Sequence, residues 1–135
     1  MTTDVKPKEN KSKQNIFIVD DDTFLLDMYS LKFRELGFDV VTAGNGNDAI
    51  DKLSEKAAPD VILLDIVMPG MDGFELLKNI KEKKLATSAK IIILSNIGQE
   101  SDIERGKKLG ANGYIVKASV TPTEVVGKVK DILAR

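Results

Sequence analysis

Five short apolar runs recur along the chain: IFIV (16–19), DVVTA (39–43), VILLD (61–65), KIIILS (90–95) and GYIVK (113–117). They are rich in Ile and Val with little strict alternation, which is the composition of strands covered on both faces. Between them the apolar spacing becomes helical, at about 23–36, 47–56, 74–84, 100–109 and 121–133. Repeated βα units with short loops require right-handed crossovers, so the expected fold class is α/β, one parallel sheet with helices on both faces. Gly37 and Gly110 stand where helix C-terminal caps belong, and Thr121 before Pro122 reads as an N-cap followed by proline at the first helical position.

A chain of 135 residues fits one domain, expected over 15–135, that buries roughly two thirds of the surface its unfolded form exposes. The polar, Lys-rich opening, residues 1–14, offers nothing to bury and is expected to be a disordered tail. With 42% hydrophobic and 30% charged residues, usage is that of ordinary soluble proteins, and no apolar run approaches the roughly 18 residues of a membrane span. Neither Cys nor His occurs, which excludes a disulfide framework, a Cys/His zinc site, a serine–histidine pair and an imidazole proton shuttle. Any metal must therefore be held by oxygen. A net charge of -1 argues against direct nucleic-acid binding, and the absence of Cys and of an apolar N-terminal core makes the cytoplasm the expected compartment, with no membrane partner.

In a parallel sheet of this kind ligands bind beyond the carboxyl ends of the strands. There the first run delivers Asp20, Asp21 and Asp22, the third Asp65, the fourth Ser95 and the fifth Lys117. Singly, each has an ordinary reading: Asp22 as a helix N-cap, Lys117 as a lysine snorkelling off a strand end, Ser95 as a strand-end hydroxyl. Jointly they do not, because no cap needs carboxylates from two separate strands. Hard oxygen ligands without His or Cys favour Mg²⁺. A metal, a lysine and a hydroxyl around one carboxylate describe a site where that carboxylate attacks phosphorus. In the first helix Leu25, Tyr29, Phe33 and Leu36 fall on one face and are expected in the core; Phe24 and Leu31 point away, either as scattered exposed residues or as a docking patch.

The stretches IFIVDDD, LLDIVMPGMDG, IIILSN and GANGYIVK resemble, in order and spacing, the motifs of receiver domains of two-component response regulators, over about residues 15 to 134. The resemblance implies a flavodoxin-like three-layer fold with strand order 2-1-3-4-5. It implies that Asp65 accepts a phosphoryl group from a histidine kinase or phosphotransfer protein, and that Asp20, Asp21, Asp65 and the Val67 carbonyl hold Mg²⁺. Ser95 and Lys117 would grip the phosphoryl oxygens. Tyr114 would turn inward as the hydroxyl moves, and Met68-Pro69 with Gly70 and Gly73 would form the covering turn. It further implies no enzyme beyond catalysis of its own phosphorylation and dephosphorylation, and an output protein that reads the surface of the fourth helix, fifth strand and fifth helix. A monomer or weak dimer is expected, and a stand-alone regulator, since the chain starts at Met1 and stops after the fifth helical pattern. Asn112-Gly113-Tyr114 occupies places where winged-helix members carry Asp-Asp-Tyr, which speaks against their dimer mode. Two residues depart from the family. Ala118 replaces a proline, so a trans bond with a displaced loop is expected, a non-proline cis bond costing about 2.5–4 kcal/mol. Asn96 replaces Ala or Gly and would hinder access to the phosphoryl group.

Other readings compete. AGNGNDAI (43–50) matches G-x-G-x-x-A after a strand, a short dinucleotide fingerprint, but it follows the second strand and leaves the acids and Lys117 unexplained. A Mg-dependent aspartyl phosphatase would want D-x-D-x-T, which Asp20 to Phe24 misses by one place. A receiver-like module that binds partners without phosphorylation would show no response to acetyl phosphate.

Overall fold

The computed structural model describes residues 14–55 and 58–135, and among these it has β1 (Asn15–Val19), α1 (Thr23–Glu35), β2 (Asp39–Ala43), α2 (Gly46–Ser54), β3 (Val61–Leu64), α3 (Gly73–Glu82), β4 (Lys90–Ser95), α4 (Glu100–Lys108), β5 (Gly113–Val116) and α5 (Pro122–Leu133). All strands pair in parallel, in the order β2-β1-β3-β4-β5. The expected tail lies outside the described residues except at Gln14, whose carbonyl accepts a hydrogen bond from the Asp39 N–H at 2.9 Å.

The strands lack alternation because both faces are buried. Along β1, Ile16 and Ile18 join a core beneath α1 and α5, whereas Phe17 and Val19 join a second core beneath α2, α3 and α4. β3 repeats the division, with Val61 and Leu63 on one side and Ile62 and Leu64 on the other. Each buried Ile, Leu or Phe contributes roughly 1.5–3 kcal/mol, so the two layers together hold the sheet. β2 is different: it lies at the edge, Asp39 and Val41 are exposed, and only Ala43 is buried. On its flank Lys52 Nζ donates to the Thr42 carbonyl at 2.6 Å.

Helix ends follow the local chemistry. Asp22 caps α1, accepting from the Phe24 and Leu25 N–H groups; Asp72 and Thr121 form capping boxes with Glu75 and Glu124. Gly37 (φ 92°) and Gly110 (φ 103°) take the left-handed conformation expected of C-terminal caps. At Gly37 the cap corrects the expected core face of α1. Tyr29 and Phe33 are buried with Leu26 and Ser30, Leu25 is half-buried, and Leu36 is 49% exposed. The helix stops before Leu36 can complete the face, and the Phe38 N–H bonds back to the Phe33 carbonyl. Phe38 thereby takes the core position, its ring edge-on to Phe33 at 5.2 Å. Phe24 and Leu31 are exposed as expected. No helix among the described residues is long and apolar enough to cross a membrane.

Candidate functional site

β1 and β3 are adjacent, so the residues that follow them are brought side by side. The Asp65 N–H bonds to the Val19 carbonyl at 3.0 Å and the Asp20 N–H to the Ala43 carbonyl at 3.2 Å, which continues the ladder one residue past the strands and fixes both acids. Both are buried, at 6% and 4% exposure. One carboxylate oxygen from each of Asp20, Asp21 and Asp65 lies within 4.8 Å of the others, with Asp21 exposed at the rim. Three oxygen anions this close repel one another unless a cation stands among or beside them.

One cation is supplied by β5. Lys117 ends its strand by opening a 3₁₀ turn (Lys117–Ser119), and its Nζ reaches Asp20 Oδ2 at 3.0 Å and Asp65 Oδ2 at 3.6 Å. No peptide bond among the described residues is cis, so the bond to Ala118 is trans, as expected, and the lysine still reaches both acids. Burial pulls its ammonium pKa down, but the hydrogen bond it donates to Asp20 and the charges of Asp65 and Asp20 outweigh it and leave the group above its ordinary value. The Asp65 carboxyl is raised, chiefly by burial, with Asp20 adding to the effect; the Lys117 charge and hydrogen bonds from Ser95 and the Ile66 N–H oppose it. Asp65 Oδ1 accepts from that Ile66 N–H at 2.8 Å, so Oδ1 is oriented and Oδ2 is the oxygen that faces the lysine. Ser95 is fully buried.

Around this centre the loops are tied down. The Tyr114 hydroxyl of β5 donates to the Ile97 carbonyl in the loop after Ser95, and Gly98 in the same loop lies against Val116. Asn96, between them, is exposed. After Asp65 the chain turns through Val67, 59% exposed, buried Met68 and Gly70 at φ 76° before α3 begins. The turn closes where the Gly73 N–H bonds to the Ile66 carbonyl at 2.8 Å. A Cβ on Gly73 would strike the Asp65 carbonyl and stand 2.7 Å from the Ile66 Cα. Backbone cannot swing away as a side chain can, so Gly73→Ala is expected to destabilise by about 1–3 kcal/mol and to displace Asp65. Thermal unfolding measures the first; an unchanged melting temperature would show that the approach is looser than it looks.

The expected site residues Asp20, Asp21, Asp65, Ser95 and Lys117 thus converge, with Val67 on the covering turn and Tyr114 one shell away. Tyr29 is an addition. Read from the sequence as core alone, it lines a cavity of about 10 Å³ together with Asp20 and Asp65, room for about one water. Burial raises its hydroxyl pKa, Lys117 lowers it and Asp20 raises it. The clue in the sequence was a polar-tipped aromatic at an α1 core position two turns beyond Asp22.

Comparison with known proteins agrees with this geometry. A match to the response regulator receiver domain family spans residues 16–130. The chain is 35% identical over 122 residues to the alkaline phosphatase synthesis transcriptional regulatory protein PhoP of Bacillus subtilis (strain 168), covering 90% of this chain and 49% of that protein; it spans about half the length of that relative. Among solved structures, the Vibrio cholerae chemotaxis protein CheY4 superimposes with a TM-score of 0.82 at 29% identity, covering 90% of this chain and 99% of CheY4. The BeF3-activated receiver domain of DrrB gives 0.76 at 30% identity, covering 91% of this chain and 99% of that domain. Fold, acidic cluster and matched motifs lead to one assignment: the chain belongs to the response regulator receiver domain family.

Proposed function

We propose that this chain takes a phosphoryl group onto Asp65 from the phosphohistidine of a histidine kinase or phosphotransfer protein, in the cytoplasm, and that the resulting change of surface signals to an output protein. The observation that carries this is the convergence of the β1, β3 and β5 ends, with Lys117 Nζ within 4.0 Å of both Asp20 and Asp65. The donor set is all hard oxygen, which fits Mg²⁺: Asp20, Asp21, Asp65 and the Val67 carbonyl would hold it. When bound, the ion neutralises charge developing on the transferring phosphoryl group. Asp65 Oδ2 forms the bond to phosphorus, the phosphorus–nitrogen bond of the donor breaks, and its electron pair stays on the imidazole. The Ile66 N–H, by holding Oδ1, limits rotation of the nucleophile. Lys117 then moves its charge from the carboxylate to a phosphoryl oxygen, and the Ser95 hydroxyl gives a second hydrogen bond. Turnover of outside substrates forms no part of this; the chain acts on its own acyl phosphate. DrrB in its BeF3-activated form is a parallel from a related domain.

The switch follows from who holds the loop after β4. Ser95 moving toward new oxygens draws that loop, to which Tyr114 is bonded through Ile97, and so biases the α4, β5 and α5 surface between two arrangements. Incubation with acetyl phosphate and Mg²⁺, followed by intact mass measurement, is expected to give one labile phosphoryl adduct. No adduct, with no response to beryllium fluoride, would leave only a partner-binding module. On α1, Phe24 and Leu31 are 74% and 59% exposed and lie seven residues apart, on one face. Phe24→Ala with Leu31→Ala is expected to leave uptake from acetyl phosphate unchanged and to slow transfer from a phosphorylated histidine phosphotransfer domain about thirtyfold, the loss of one hot spot of about 2 kcal/mol. Equal transfer rates would return both residues to ordinary exposed surface.

A further inference from the structure

The loop that leaves Asp65 is held along its length as well as at its ends, and Met71 is the holding point. Gly46, the first residue of α2, has no side chain; a Cβ there would stand 2.6 Å from Met71 Sδ, 2.9 Å from its Cβ and 3.0 Å from its Cγ. The Cβ, Cγ and Sδ of the thioether side chain therefore lie against the first residue of α2, in a seat that a side chain at position 46 would fill. From α3, Asn79 Nδ2 approaches the same sulfur at 3.8 Å while it bonds the Glu75 carbonyl at 3.1 Å. Met71 packs as well on the core beneath α2, α3 and α4. The glycine stretch GNGN, for which a nucleotide fingerprint was one reading, has a different purpose here: Asn45 caps α2 through the Asp48 N–H at 2.8 Å, and Gly46 receives Met71.

We infer that Met71 is a positioning residue for the metal end of the site: seated on Gly46, it holds the β3–α3 loop, and with it the Val67 backbone, in register with Asp20, Asp21 and Asp65. This rests on the reading that those groups take up Mg²⁺. Mg²⁺ demands near-ideal octahedral geometry, so a loop free to shift loses affinity even when every carboxylate remains. A flexible, polarizable side chain fills an irregular seat between two helices well, and the contact joins the β3–α3 loop to the start of α2, far apart in sequence.

The test is a two-site cycle in the full chain: Gly46→Ala, Met71→Ala and both together, each checked for fold by circular dichroism and titrated with Mg²⁺ by calorimetry. Gly46→Ala unseats Met71 and is expected to weaken Mg²⁺ binding about tenfold. On the Met71→Ala background, where nothing remains to be displaced, the added Gly46→Ala change is expected to shift affinity less than twofold. Amide exchange of the Gly73 N–H, measured without metal, is expected to quicken about tenfold in Gly46→Ala. Should Gly46→Ala fail to fold, Met71→Ala alone must weaken Mg²⁺ severalfold. Wild-type affinity and exchange in Gly46→Ala, or fully additive losses in the double variant, would overturn the role of Met71 while leaving Mg²⁺ binding intact. A wild-type chain that binds no Mg²⁺ would instead remove the reading beneath it.

Discussion

Asp65→Asn is expected to abolish the phosphoryl adduct formed with acetyl phosphate and Mg²⁺ and, at neutral pH, to raise the melting temperature. Loss of uptake follows from loss of the nucleophile: an amide of the same shape has no ionised oxygen to attack phosphorus. The gain in stability follows from the direction of the Asp65 shift. Burial, with Asp20 beside it, raises the folded carboxyl above its ordinary 3.8. The folded state therefore binds that proton more tightly than the unfolded chain does. Below the unfolded value both states hold the proton and no penalty exists; the penalty grows as pH rises through the folded value and is complete above it. The advantage of Asn should accordingly be full at pH 7 and shrink as pH is lowered toward 4. Melting curves of both proteins across that range decide the matter, and an advantage that grew on acidification would mean the carboxylate is stabilised by its surroundings.

Lys117→Met is expected to act on both function and fold. It leaves Asp20 and Asp65, both buried, adjacent and without their common cation. Removing one partner of a buried ion pair typically destabilises by about 3–5 kcal/mol. Removing one preorganised donor to transition-state charge typically slows chemistry about 10²–10³-fold, so phosphoryl uptake should fall by that order. Mg²⁺ offers a diagnostic, because a bound divalent cation replaces part of the missing charge: the loss of stability should be larger in chelator than in saturating Mg²⁺. Identical losses in the two conditions would place the ion elsewhere.

Much of this was legible in the sequence because the site is built at strand ends. Asp20, Asp65, Ser95 and Lys117 each follow or close an aliphatic run, and parallel topology alone sends such residues to one rim, so their convergence could be inferred before any distance was known. The strand pattern was readable for the same reason: burial on both faces removes alternation, as in β3. What escaped depended on contacts between segments distant in the chain. Helical periodicity assigned Leu36 to the core, but the cap at Gly37 ends the helix and passes that position to Phe38. Tyr29 read as one more apolar residue, since only the fold shows that its ring lines the space under Asp20 and Asp65. The seat of Met71 on Gly46 left no local trace at all, because a glycine at the start of a helix has many explanations and its partner lies in a distant loop.

The hydrogen bond from Lys52 to Thr42 bears on how the molecule keeps to itself. Successive carbonyls of a strand point in opposite directions, and the Ala43 carbonyl is used toward β1 by Asp20, so that of Thr42 faces the open border of the sheet. An unguarded border of this kind is a template onto which another chain can add a strand. The Lys52 ammonium fixed over that acceptor takes up the carbonyl and sets a charge on the border, which makes addition of a foreign strand unfavourable at this point.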